Sequence, residues 1–118
     1  MQKVNPTQTK AWKALQAHFE DIKDVEMKNL FEDQSRAEAF TLKWEDFYVD
    51  YSKNRITEET KSLLLDLAKE MNLEEAKAAY FGGAEINETE GRAVMHTALR
   101  QPADASVEIN GEDVICKV

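Results

Sequence analysis

The chain opens with a helical rhythm. Trp12, Leu15, Phe19 and Ile22 recur at steps of three and four residues, which gathers them on one face of a helix spanning about residues 9–21. Thr7 or Thr9, just after Pro6, supplies the cap. Residues 25–31 are too short and mixed to assign, and Ser35-Arg36-Ala37-Glu38 reads as a capping box opening a short helix. Over about residues 41–51 the rhythm changes: Leu42 and Trp44 alternate with polar neighbours, then Phe47, Val49 and Tyr51 alternate in the opposite phase. This predicts one β-branched, aromatic strand that swaps its buried face through a bulge near Glu45 and Asp46.

Thr57 then caps a helix over about residues 57–71. Glu58 and Glu59 sit at its positive end, and Leu64, Leu67, Ala68 and Met71 form its buried stripe. After Asn72, residues 73–81 form another helix with Leu73, Ala76 and Tyr80 inward, closed by Gly82-Gly83. Asn87-Glu88-Thr89-Glu90 reads as a second capping box, opening a helix over about residues 88–100 with Val94, Met95, Ala98 and Leu99 on one side and Pro102 beyond it. Asn110-Gly111 between two β-prone arms predicts a hairpin over about residues 106–116. The fold class expected is α+β, predominantly helical, with a short strand and a C-terminal hairpin. A lone hairpin whose second arm is barely established at Val118 makes the chain read as the front of something longer.

Composition narrows the partners. Fifteen Lys and Arg against 23 Asp and Glu leave a formal charge of −8 over 118 residues. Such a balance argues against non-specific nucleic-acid binding and against docking on an anionic membrane. The 42% hydrophobic content is enough for one modest core, and no apolar run is long enough to cross a bilayer. Cys116 is the single cysteine, which excludes an internal disulfide and fits a reducing, cytoplasmic setting.

Candidate chemistry is sparse. His18 falls among Lys13, Glu20, Asp21 and Lys23, which reads as the polar side of the first helix. His96 has Arg92 and Arg100 four residues to either side, three groups that on one helical face would meet an anionic substrate or an acidic segment, or else form ion pairs within the fold. No zinc spacing, calcium loop, nucleophile elbow or phosphate loop occurs. Glu58/Glu59 and Glu74/Glu75 are accounted for by helix dipoles, and Gly82-Gly83 by helix termination. No metal, cofactor or complete active site is expected.

Two segments carry a family likeness. The run from Ile86 to Arg100, Ile-Asn-Glu-Thr-Glu-Gly-Arg-Ala-Val-Met-His-Thr-Ala-Leu-Arg, closely resembles the "IN-x-TEGRAVLH-x-ALR" segment of glucose-6-phosphate isomerases, with Met95 where Leu is usual and Thr97 where Val is. The run from Asp50 to Thr57 matches that family's "DYSKNRIT", and Asn110 to Val114 looks like its "DGKDV" hairpin. The resemblance implies that residues 1–118 are one N-terminal segment of a larger isomerase with an α/β, three-layer sandwich body. It implies interconversion of glucose 6-phosphate and fructose 6-phosphate through an enediol, in glycolysis and gluconeogenesis, without a cofactor. The parent would be a cytoplasmic homodimer whose acid–base groups and sugar-phosphate site lie outside these 118 residues. This chain alone would then be inactive, with no catalytic, substrate-binding or metal residue of its own. By the same resemblance Asn54, Arg55, Glu90, Arg92, His96 and Arg100 tie the segment to the rest of the polypeptide, and Arg92 supports the sugar site without titrating. The competing reading is a stand-alone acidic helical module that binds a protein partner through Trp12, Trp44, Phe47 and Tyr51.

Overall fold

The computed structural model describes residues 3–115. Cys116, the last residue of the expected hairpin, lies outside them. The class is α+β, and the chain divides into two compact units, Asn5–Glu70 and a second made of Lys3 and Val4 with residues 71–115.

In the first unit, Asn5 Oδ1 accepts the Thr7 N–H at 3.1 Å and starts a single 3-10 turn at Pro6–Gln8. Thr9 then caps helix α1, Lys10–Ile22, its Oγ1 accepting the Trp12 N–H at 3.1 Å. Helix α4, Glu58–Glu70, begins with a reciprocal cap. Thr57 Oγ1 accepts the Thr60 N–H, and Thr60 Oγ1 accepts the Thr57 N–H. The two helices pack antiparallel and are pinned at both ends. At one end the Glu70 carboxylate accepts the free amides of Lys10 (2.9 Å) and Ala11 (3.2 Å), placing a negative charge on the positive end of α1. At the other end His18 Nε2 meets Thr60 Oγ1 at 2.6 Å. His18 is therefore not on a solvated face as expected; it is 6% exposed. The reason is its spacing, since Ala11, Leu15, His18 and Ile22 follow one helical stripe. Replacing Glu70 by Gln removes the charge and weakens both caps. We expect a loss of about 1 kcal/mol in urea melts, against a smaller loss for Glu75→Gln, which removes a helix-dipole contact alone.

Two short helices, α2 at Met27–Leu30 and α3 at Arg36–Ala39, link α1 to a hairpin. The expected capping box at Ser35 does not form. Ser35 itself is helical in backbone, and Asp33 Oδ1 takes both its N–H (2.9 Å) and its hydroxyl (2.7 Å).

The single bulged strand expected at 41–51 is instead two strands, β1 at Thr41–Trp44 and β2 at Phe47–Asp50, antiparallel around a two-residue turn. Glu45 takes φ 48° there. The phase change is thus the turn itself. In the register Leu42↔Val49 and Trp44↔Phe47, all four apolar side chains share one face.

In the second unit, helix α5 runs Leu73–Phe81. It ends as expected at the glycines, with Gly83 N–H on the Tyr80 carbonyl, Ala84 N–H on the Ala79 carbonyl and Gly83 at φ 73°. The chain closes with strands β3, Glu108–Ile109, and β4, Glu112–Asp113. Asn110 (φ 52°) and Gly111 (φ 79°) make the type I′ turn that their sequence demands.

The helix expected at 88–100 is absent. Asn87 begins it, its Oδ1 accepting the Glu90 N–H at 3.3 Å, but Gly91 turns left-handed at φ 61° and Asn87 pairs back with Arg92. Glycine in a helix interior costs about 1 kcal/mol against alanine, and Thr89, Val94 and Thr97 are β-branched. One 3-10 turn at Ala98–Arg100 is all the helix that forms in this segment.

Candidate functional site

Within the Asn5–Glu70 unit the family-like segment 50–57 is held by a side chain that sequence reasoning passed over. Arg36, 4% exposed, donates from Nε to the Ser52 carbonyl (2.9 Å) and from Nη2 to the Asn54 carbonyl (2.8 Å). Its guanidinium also lies 4.5 Å from the Phe40 ring centre and 5.6 Å from that of Phe31. A planar fork on a permanent cation suits two adjacent carbonyls in a way a lysine cannot reproduce. Phe40 is buried, meets Tyr51 edge to face at 5.4 Å, and its carbonyl accepts the Tyr51 N–H. Lys61, from the first turns of α4, places its ammonium within 6 Å of both rings, at 5.8 and 5.9 Å. The Tyr51 hydroxyl beside it, then Glu58, hold its pKa above the ordinary lysine value. The signal for this cluster is Phe31 and Phe40 flanking one arginine, and it is masked because Arg36 also falls inside the apparent capping box at residues 35–38.

Ser52, 2% exposed, is fixed from the other side by Asp50, whose Oδ1 accepts its N–H at 2.9 Å. Hydrogen bonding from Ser52 depresses the Asp50 pKa below the ordinary aspartate value. A depressed carboxylate stabilises the fold fully above its unfolded pKa and loses that contribution as pH falls through the folded one. The loss is therefore expected from about pH 4 downward. Asp50→Asn should flatten the acid limb of stability over that window, read by thermal melts from pH 6 to 2.

Asn54 and Arg55 are exposed, and only the Asn54 backbone takes part in the clasp. The other expected site residues fall in the second unit. Glu90, Arg92 and His96, with Asn87, line one small open cavity of about 210 Å³. Arg92 Nη2 lies 2.6 Å from Glu90 Oε2, and Arg100 Nη1 donates to the His96 carbonyl at 2.9 Å. The three basic residues do not share a helical face, because the helix that would align them is not formed. Arg92 is thus paired with its near neighbour Glu90 at the surface. Nearby, Lys3 Nζ and Glu88 Oε2 pair at 2.6 Å, raising the lysine and lowering the glutamate pKa. Among the described residues no group of His, Cys, Asp and Glu is placed to hold a metal ion, and no helix is long and apolar enough to cross a membrane. These contacts are clasps and caps, and the hydroxyl–imidazole contact of Thr60 with His18 is buried where α1 meets α4.

Comparison with known proteins gives this arrangement its context. The phosphoglucose isomerase family profile matches residues 50–118, which begin at the clasped segment and run through the 87–100 loop and the hairpin. The whole chain is 54% identical to the glucose-6-phosphate isomerase of Christiangramia forsetii, over 22% of that protein. Over 98% of its length it is 47% identical to the glucose-6-phosphate isomerase of Desulforapulum autotrophicum, covering 21% of that protein. The chain belongs to the phosphoglucose isomerase family. It spans about a fifth of the length of the curated relatives it matches.

Proposed function

We propose that this chain is the N-terminal part of a cytoplasmic glucose-6-phosphate isomerase, and that its contribution is architectural. The observation that carries this is the end-to-end match to one fifth of an isomerase at 54% identity. In this reading the sugar phosphate is bound and the enediol proton transfer performed by residues outside the 118, in a homodimer. Asn54, Arg55, Glu90, Arg92, His96 and Arg100 are all exposed on their units, with Arg92 bonded to Glu90 and Arg100 to the His96 carbonyl, and in this reading they also make charge-assisted bonds to the remaining polypeptide. Arg92 supports the sugar site as a fixed charge, since arginine does not titrate in the working range.

A dehydrogenase-coupled assay of fructose 6-phosphate conversion tests the reading. The pure chain is expected to show no turnover above background, and the intact polypeptide that carries it is expected to be active. Turnover by the 118 residues alone would overturn the architectural role. An inactive intact polypeptide would overturn the isomerase reading.

A further inference from the structure

The hairpin of β1 and β2 presents an apolar face to solvent. Leu42, Trp44, Phe47 and Val49 are on one side by register and remain between 49% and 66% exposed. Two-stranded hairpins are marginal in water unless that face is covered. Exposed contiguous apolar patches beyond a few hundred Å² mark interaction surfaces. Trp44 and Phe47 are already stacked, with ring centres 5.6 Å apart and planes at 20°, so little side-chain freedom remains to be lost on docking. The turn at the tip carries Glu45 and Asp46, both exposed.

We infer that this face is the surface by which the chain docks on the remaining isomerase polypeptide, against an apolar patch rimmed by lysine or arginine. The inference rests on the function proposed above and locates the contact. Two observations select that occupant. About four-fifths of each relative's length lies outside the part matched here, which is ample chain to cover one hairpin. The acidic turn calls for a basic rim, whereas a second copy of a chain of net charge −8 brings a surplus of acids to the contact. The opposite face, with Lys43 held 5.3 Å from the centre of the Tyr48 ring, offers no comparable apolar area.

The test places the photo-crosslinker p-benzoylphenylalanine at position 47, and separately at position 48, in the intact polypeptide that begins with this sequence. Position 47 is expected to crosslink within its own chain, to a peptide beyond residue 118, at least fivefold more than position 48. Crosslinking from 47 to a second copy, read as a doubled mass, would overturn the inference. So would equal yields at 47 and 48, or capture of an unrelated protein. Isomerase activity is assayed on the same samples. An active enzyme without the crosslink would refute the docking surface alone, and inactivity of the unsubstituted polypeptide assayed beside it would refute the proposed function whatever the crosslink shows.

Discussion

Arg36→Met is expected to destabilise the Asn5–Glu70 unit by about 2–4 kcal/mol, because two carbonyls lose a buried, charged hydrogen-bond donor. The Ser52 and Asn54 carbonyls lose their shared donor, and the Phe31 and Phe40 rings lose the cation above them. Methionine fills most of the volume, so the loss reports the missing hydrogen bonds rather than a cavity. Arg36→Lys should recover part of it, because an ammonium keeps the charge but cannot fork to two carbonyls. Urea melts give the magnitude. Faster amide exchange at Ser52 and Asn54 relative to α1 would localise it. A loss below about 1 kcal/mol for Arg36→Met would mean that the segment 50–54 holds its shape by other means.

Phe40→Ala should cost about 3–5 kcal/mol, the usual range for a buried phenylalanine. Phe40 is the one large apolar side chain that is buried among the described residues, the other buried hydrophobics being Ala11 and Ala98. It also forms the floor on which the Arg36 guanidinium rests and the edge contact for Tyr51. Because both residues act through one cluster, the losses should not add. A double-mutant cycle is expected to give a coupling of about 1 kcal/mol or more between positions 36 and 40. Additive losses would show that the ring and the cation contribute independently.

What could be read from the sequence follows from how local each determinant is. The helices α1, α4 and α5, their caps at Thr9 and Thr57, the glycine stop at Gly83 and the Asn110-Gly111 turn depend on residues within a few positions of one another. Propensity and spacing suffice for these. Arg36, His18 and Glu70 act on partners 16 to 60 residues away, and no local pattern announces such contacts. His18 did carry a signal, its place on the Ala11–Leu15–Ile22 stripe, which its polar neighbours outweighed. Over residues 41–51 the sequence shows the alternation but not the topology. A two-residue turn shifts the sequence phase as a bulge would, and Glu45-Asp46 lacks the glycine that usually marks one. At 88–100 the apolar spacing of Val94, Met95, Ala98 and Leu99 suggested a helix, and Gly91 in a left-handed conformation prevented it. The family likeness of the same residues did not depend on that helix, which is why the expected membership stands although the element does not.

The measurement that bears most directly on the whole account is the mass of the native protein carrying this N-terminal sequence, captured from its own cells with an antibody to Lys10–Ile22 and assayed for glucose 6-phosphate isomerisation. The account predicts a polypeptide several times the 13.5 kDa of this chain, with isomerase activity retained on the antibody. A native polypeptide of 13.5 kDa without activity would contradict it and make the chain an independent binding module that kept the scaffold.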